Sequence, residues 1–241
     1  VVAGLSARVW TYGMNNNADV YPLEMHAVPD GYNLILSSPA GEIDFHSPLL
    51  GEFNVMNTVA VVSTLLALEF TPTCISEIMP RLKSISGRME LVDHNRQGPQ
   101  VIVDYAHTPL ALEQALKAAR VNASGRVWCV FGCGGERDPG KRPLMGAIAE
   151  SCADYVVLTS DNSRGENPES ILEDILSGMT CEPSAVQPDR GKAIHIALKC
   201  ADEKDVVLIA GKGHELEQIV GSDVKYFSDQ DTVRQLLEGN K

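Results

Sequence analysis

From Gly98 onward, short apolar runs alternate with helix-length segments, and this alternation limits the chain to a few architectures. VIVDYA at 101–106 reads as a buried strand. TPLALEQALKAARV follows it as a helix, with Thr108 placed to cap and Pro109 in the first turn. RVWCVFG at 126–132 is a strand, and a helix is expected from about Pro143 to Ala153. YVVLTS is the next strand, leading to a helix from Pro168 to about Met179, with Asn167 as its cap. A helix follows Asp189, DVVLIAG at 205–211 is a strand, and TVRQLLEG closes the chain as a helix. Strands that are apolar on both faces, each followed by a helix, pack as a mostly parallel sheet covered on both sides. The expected fold class is therefore α/β, with a doubly wound, mostly parallel sheet.

The preceding part has another rhythm. VVAGLSARVWTYG and NLILSSPAGEIDFHSP alternate apolar and polar residues between Gly, Pro and Asn breaks, which predicts short strands and turns over the first fifty residues. In GEFNVMNTVAVVSTLLALEF the period changes. Val55, Thr58, Val59, Val62, Leu65 and Leu66 keep an i, i+3, i+4 spacing, so a largely buried helix is expected, with Asn54 as its cap. A second helix is expected over Thr73 to Leu82. A domain boundary is placed near residues 86–98, dividing the chain into 1–90 and 91–241. With 241 residues and 44% hydrophobic content, two modest cores are within reach. The sequence opens at Val1, without a methionine and inside strand-like sequence, so a piece of a longer protein is expected.

The formal net charge of -12 and the lack of a cationic tract disfavour nucleic acid or a membrane surface as partner. Small anions stay open, since they need only a local cationic pocket. None of the six cysteines forms a Cys-x-x-Cys pair or a zinc-finger spacing with histidine. Cys129, Cys133, Cys152 and Cys200 sit among apolar residues and read as reduced core cysteines of a cytoplasmic protein. No apolar run is long enough for a membrane-spanning helix.

Four polar segments each follow an apolar strand directly: DYAHTP, GCGGERDPGKRP, SDNSRGENP and AGKGHE. In a parallel sheet they converge on the edge formed by the strand C-termini, where α/β domains bind ligands. GERDPGK has the spacing of a phosphate loop, but Arg142 stands where the magnesium-binding hydroxyl belongs, so a nucleotide P-loop is rejected. AGKGHE fails the dinucleotide pattern because Leu216 stands at the last position. Asp161 and Asn162 suit turn chemistry and Asn167 a helix cap, which leaves Arg164 without a local explanation. Arg137 and Arg164 supply positive charge, Asp161 and Glu215 negative charge, and an edge with both signs suits a zwitterion. The residues alone thus reach an amino-acid pocket and leave the amino acid and the reaction open.

SGRMELV, VDYAHTPLALEQAL, VFGCGGERDPGKRPLMGAIA, SDNSR and AGKGHE, in this order, closely resemble the C-terminal half of Mur ligases, in the branch that takes meso-diaminopimelate. GEFNVMN resembles the asparagine-bearing helix that ends this family's central ATPase domain. The resemblance runs from about residue 50 to the end, and the first fifty residues fit the remaining strands of the central domain. It implies a Rossmann-like C-terminal domain that binds the amino acid, preceded by the tail of the ATP-binding domain. It also implies a reaction of peptidoglycan synthesis. ATP phosphorylates the glutamyl carboxylate of UDP-MurNAc-L-Ala-D-Glu, the amine of meso-diaminopimelate attacks the acyl phosphate, and phosphate leaves. The implied partners are ATP, the UDP-MurNAc-dipeptide and meso-diaminopimelate, and a monomer is expected. The family's Mg2+ ligands and carbamylated lysine lie upstream of Val1, and no G-K-[ST] loop occurs in the chain. No catalytic or metal-ligating residue is therefore assigned here, and the chain on its own is expected to be inactive.

The resemblance also assigns residues. Where the family motif reads Asp-Asn-Pro-Arg, this sequence reads Asp161-Asn162-Ser163-Arg164. Arg164 is implied to clasp the far carboxylate of diaminopimelate, with Arg137 as the second arginine of the amino-acid site. The Gly211 carbonyl and Glu215 are implied to hold the distal ammonium. Ser163 replaces a proline, and a looser backbone before Arg164 is the expected consequence. Asn57 resembles the residue that meets adenine. Arg88 and Asp104 resemble residues that reach the phosphates and ribose of ATP, with His107 beside them. A related amide ligase such as a folylpolyglutamate synthase is a second reading, against which Arg164 and Glu215 argue. A third is an amino-acid-binding module without chemistry.

Overall fold

The computed structural model describes residues 9–92 and 98–239. Residues 1–8, where the first expected strand begins, and 93–97, within the expected boundary, lie outside the described residues. The chain divides into two compact units, Val1–Lys83 and Ser84–Lys241.

In the first unit, β1 (Tyr21–Val28), β2 (Gly31–Ser37) and β3 (Ile43–Ser47) form an antiparallel sheet. Tyr32, Leu34 and Leu36 of β2 and Ile43 and Phe45 of β3 point to one face, as the two-residue period requires. Helix α1 (Glu52–Ala67) adds Val55, Val59, Val62 and Leu66 to the same core. Helix α2 (Pro72–Ile78) adds Ile75, capped by Thr71, whose hydroxyl accepts from the Cys74 N–H at 3.3 Å. A 3-10 turn at Met79–Arg81 ends what the sequence suggests is one helix. The expected Asn54 cap is not observed. The N-cap is Gly51, whose φ of 91° turns the chain into the helix three residues earlier. Asn54 lies inside the first turn, and its amide donates to the Leu50 carbonyl at 2.8 Å.

The second unit is built on a six-stranded sheet. Its elements are β4 (Glu90–Val92), β5 (Gln100–Asp104), α3 (Pro109–Asn122), β6 (Val127–Phe131), α4 (Lys141–Cys152), β7 (Tyr155–Leu158), α5 (Pro168–Leu176), β8 (Ala185–Val186), α6 (Arg190–Cys200) and β9 (Val206–Ala210). A separate antiparallel ribbon follows, β10 (Glu217–Val220) with β11 (Asp223–Tyr226), and then helix α7 (Asp229–Gly239). The sheet order is β4-β5-β9-β6-β7-β8, parallel except for β4. Val101, Val103, Val207 and Ile209 face a core shared with Ala193, Ile194 and Ala197 of α6 and Val233 of α7. Ile102 and Leu208, one residue out of phase, face the other way, and α3 packs on that side against β9 and β6. The doubly wound, mostly parallel α/β fold read from the sequence is the one observed.

The caps follow the sequence. Thr108 accepts from the Ala111 N–H at 3.4 Å, Asn167 from the Glu169 N–H at 2.9 Å, and Asp189 from the Lys192 N–H at 3.1 Å. Helix α4 starts two residues before the expected Pro143, and α5 ends at Leu176 rather than near Met179. Of the cysteines read as core, Cys129 and Cys133 are buried, Cys152 is half-buried and Cys200, at the solvent face of α6, is exposed. Burial pushes the Cys133 thiol up to about 12.

Two buried polar clusters tie the sheet to its surroundings. The Asp205 carboxylate accepts from the Arg126 N–H at 2.8 Å, the Asp202 N–H at 3.0 Å and the Trp128 indole at 3.1 Å. Burial pushes this carboxyl up, but those three donors and the Arg126 charge outweigh it and hold it below its ordinary value. Arg190 at the start of α6 meets Asp229 at the start of α7 through two bonds of 2.7 and 2.8 Å, with both side chains fully buried.

Candidate functional site

The edge of the second unit carries the C-termini of β5, β9, β6 and β7, and the four polar segments leave from there. After β7 the chain enters Thr159–Ser163, all buried. The glycines after β6 permit this. A Cβ on Gly132 would overlap the Thr159 carbonyl and one on Gly135 the Ser163 carbonyl, so the two loops lie backbone against backbone. The Gly135 N–H donates to the Asn162 carbonyl at 2.8 Å.

Arg164 is held on several sides. Its N–H donates to the Ile219 carbonyl at 3.1 Å, and its own carbonyl accepts from the Gly221 N–H at 2.6 Å, so ribbon β10–β11 grips its backbone. Its φ of 50° is a left-handed conformation, and its Nη1 donates to the carbonyls of Gly135 at 2.9 Å and Asn162 at 3.3 Å. Ser163, at the position where the family motif has proline, is 1% exposed, and the ribbon's two backbone bonds fall on the residue after it.

The acid side of the edge centres on a residue not singled out from the sequence. Lys212 is fully buried, and its ammonium donates to Asn162 Oδ1 at 3.2 Å, Glu215 Oε2 at 3.2 Å and the Glu217 carbonyl at 2.5 Å. Asp161 Oδ1 lies 3.8 Å away. Asn162 Nδ2 donates to Glu215 Oε2 at 2.8 Å. Gly211, with φ of 116°, passes so close to Asp161 that a Cβ there would touch Asp161 Oδ2. A cavity of about 440 Å³ opens beside this cluster, lined by Asn162, Arg164, His214, Glu215 and Glu217 among others. That size suits a small organic ligand. Gly211 and Gly213, both at positive φ, flank Lys212, a pattern that any tight turn shares.

Arg137 is not among the residues that line this cavity. It is exposed, and its Nη1 donates to the Glu136 carbonyl at 3.1 Å. A Cβ on Gly134 would touch both Arg137 and Arg164, so the two arginines flank the same stretch of loop.

The segment after β5 reaches the same cluster through Tyr105, whose hydroxyl donates to Glu215 Oε1 at 3.4 Å. The Arg88 guanidinium lies 4.7 Å above the Tyr105 ring, and the His107 ring is edge-on to it at 4.7 Å. Asp104 accepts from the Met89 N–H at 2.7 Å and the Ala106 N–H at 2.9 Å, locking the turn that presents Arg88. Burial pushes its carboxyl above the ordinary value, against the pull of these N–H groups and of Arg88. Asn57 belongs to the first unit, where it is exposed on α1 and donates to Asn54 Oδ1 at 3.0 Å. Among the described residues, no group of three or more His, Cys, Asp or Glu side chains comes together to hold a metal ion. No helix among them is long and apolar enough to cross a membrane.

Fold and edge together define a class: a doubly wound α/β domain with a mixed-charge cleft at its strand C-termini. Comparison with known proteins narrows it. Residues 87–213 match the Mur ligase glutamate ligase domain, and residues 2–65 match the Mur ligase middle domain. The chain is 42% identical over 225 residues to the UDP-N-acetylmuramoyl-L-alanyl-D-glutamate–2,6-diaminopimelate ligase of Vibrio cholerae serotype O1, a match covering 93% of this chain and 45% of that protein. It is 45% identical over 217 residues to the Haemophilus influenzae ligase of the same name, covering 90% of this chain and 44% of the relative. A solved structure of a ligase so named superposes with a TM-score of 0.75 at 38% identity, covering 96% of this chain and 48% of that one. The chain belongs to the Mur ligase family, and it spans about half the length of the curated relatives it matches.

Proposed function

We infer that this chain serves an ATP-dependent acid–amino-acid ligase that adds meso-diaminopimelate to the UDP-MurNAc-dipeptide, and that its second unit is the amino-acid-binding domain. The observation that carries the reading is the clamped Arg164 lining one cavity with Glu215. A guanidinium with fixed direction recognises a carboxylate, and an acid side chain lining the same cavity recognises an ammonium. Diaminopimelate carries both groups at its far end. Arg137, which flanks Gly134 together with Arg164, adds positive charge, and the Gly211 carbonyl, Asp161, Asn162 and Ser163 complete the amino-acid subsite.

ATP, bound with Mg2+, supplies the phosphoryl group that activates the dipeptide carboxylate for attack by the amino acid. The residues assigned to it are Asn57 in the first unit and Arg88, Asp104 and His107 in the second. In the second unit the fit is specific in one respect. The Asp104 carboxylate is committed to backbone N–H groups, and the exposed Arg88 guanidinium it presents is the group suited to meet phosphate. Magnesium is assigned to residues outside this chain. The working protein is taken to be a monomer, in contact with neither nucleic acid nor membrane.

Heteronuclear NMR of the 241-residue chain tests the reading. Addition of meso-diaminopimelate should shift the resonances of Arg164, Gly211 and Glu215 to saturation, and L-glutamate should not. Saturation by L-glutamate in place of diaminopimelate would move the protein to a folylpolyglutamate-type ligase.

A further inference from the structure

The amino-acid reading leaves one conspicuous group without a task. Lys212 is the most deeply buried cation of the candidate site, at 0% exposure, and a lysine is almost never fully buried unless it is paired. Its three N–H bonds are all used: on Asn162 Oδ1, on Glu215 Oε2 and on the Glu217 carbonyl. It has no N–H left over for a ligand.

What it does to its partners follows from those bonds. Asn162 Oδ1 accepts from Lys212 and from the Ile219 N–H at 2.9 Å. Both donors face the amide oxygen, so the amide nitrogen must point the other way, onto Glu215 Oε2 at 2.8 Å. Glu215 Oε2 thereby receives two donors. Glu215 Oε1 has the Tyr105 hydroxyl at 3.4 Å, a long bond that leaves acceptor capacity on this oxygen. The charges add up in the same sense. Asp161 and Glu215 bring two negative charges around one ammonium, an excess of one beside a cavity that Glu215 and Arg164 line. An excess of one negative charge matches one ligand ammonium.

Building on the amino-acid-pocket reading, we propose that Lys212 is the positioning residue of the ammonium subsite: it orients Asn162, fixes one oxygen of Glu215, and neutralises Asp161, so that the site presents a single acid oxygen to the distal ammonium of the amino acid. Lys212 sets the preference for a distal ammonium without touching the ligand.

The test compares two ligands that differ only there. Dissociation constants of meso-diaminopimelate and L-2-aminopimelate, which keeps both carboxylates and lacks the distal amine, are measured on the 241-residue chain. The proteins are wild type, Lys212→Met and Lys212→Gln. Wild type should favour diaminopimelate by about tenfold or more, the scale of one charge-assisted bond, and both variants should lose most of that ratio with aminopimelate binding little changed. Equal losses for both ligands would make Lys212 a general structural residue and overturn the proposal. Tighter diaminopimelate binding in the variants would make it a competing cation and overturn it as well, as would an unchanged ratio. If neither variant folds, the wild-type Lys212 Nζ resonance decides. It should shift with diaminopimelate and stay in place with aminopimelate, and a resonance indifferent to both refutes the assignment. Wild type that binds neither ligand removes the amino-acid reading itself, and the Lys212 assignment with it.

Discussion

Arg164→Ala should abolish discrimination between meso-diaminopimelate and L-lysine while leaving the fold in place. L-lysine shares the reacting end and the distal amine and lacks only the distal carboxylate, so the comparison isolates one contact. The backbone survives the change: a non-glycine residue already occupies φ 50°, and the bonds to Ile219 and Gly221 are made by main-chain atoms. The side chain gives up two bonds to carbonyls, at 2.9 and 3.3 Å. For a half-buried group these cost about 1–2 kcal/mol of stability together. In the wild type with L-lysine bound, the guanidinium keeps those carbonyl partners, so lysine forgoes the carboxylate bonds without stranding a bare charge. A bond between charged partners contributes about 1.5–3 kcal/mol, and partial exposure holds the pair near 2–3, which corresponds to about 30- to 150-fold. Calorimetric titration at fixed ionic strength reads this directly. Wild type should show a ratio in that range, and Arg164→Ala a ratio within about threefold of unity, with lysine affinity nearly constant. A mutant that retains its selectivity, or loses lysine binding to the same extent, refutes the assignment. Arg164→Lys, which restores charge without the planar fork, should recover only part of the ratio.

Three further outcomes are expected. Asp205→Ala leaves the Trp128 indole and two backbone N–H groups without their acceptor, and urea denaturation at pH 7 should show a loss of about 3 kcal/mol. Because the folded carboxyl sits below its ordinary value, the ionisation-linked part of that contribution is complete above the unfolded pKa and is lost as pH falls through the folded one, so the gap between wild type and variant should start to narrow only as pH drops below about 4. Arg190→Met strands the fully buried Asp229 and should cost about 3–5 kcal/mol, with much of the loss restored in Arg190→Met/Asp229→Leu; denaturation midpoints of the two variants check this. Gly135→Ala pushes a methyl into the Ser163 carbonyl and should cost about 1–3 kcal/mol while shifting the amide resonances of 159–164, seen by thermal denaturation and NMR.

Local signals carried most of what the sequence revealed. Thr108 and Asn167 cap where their types and spacing place them, because a cap is decided within four residues. The parallel core strands were legible because burial on both faces removes alternation. Asn54 misled because the decision lay in the backbone: Gly51 takes a left-handed φ and starts the helix first. The three-residue β4 was too short to show a period, and its antiparallel pairing depends on β5. Ribbon β10–β11 escaped because its four-residue strands are short and mostly solvent-facing. Arg164 and Glu215 stood out as charges at strand ends, whereas Lys212 could not, since a lysine among glycines and acids reads like any solvated turn. Only the arrival of Asn162, fifty residues away, makes it a buried centre.

Ribbon β10–β11 pairs with no strand of the main sheet, yet it fixes the backbone of Arg164 from more than fifty residues downstream. A lineage, or a protein engineer, could lengthen, shorten or reshape this hairpin without disturbing a single core strand. Each such change would re-aim the arginine. If Arg164 has the proposed role, substrate preference in this scaffold can drift through insertions in a surface appendage while residues 161–164 stay letter-for-letter the same.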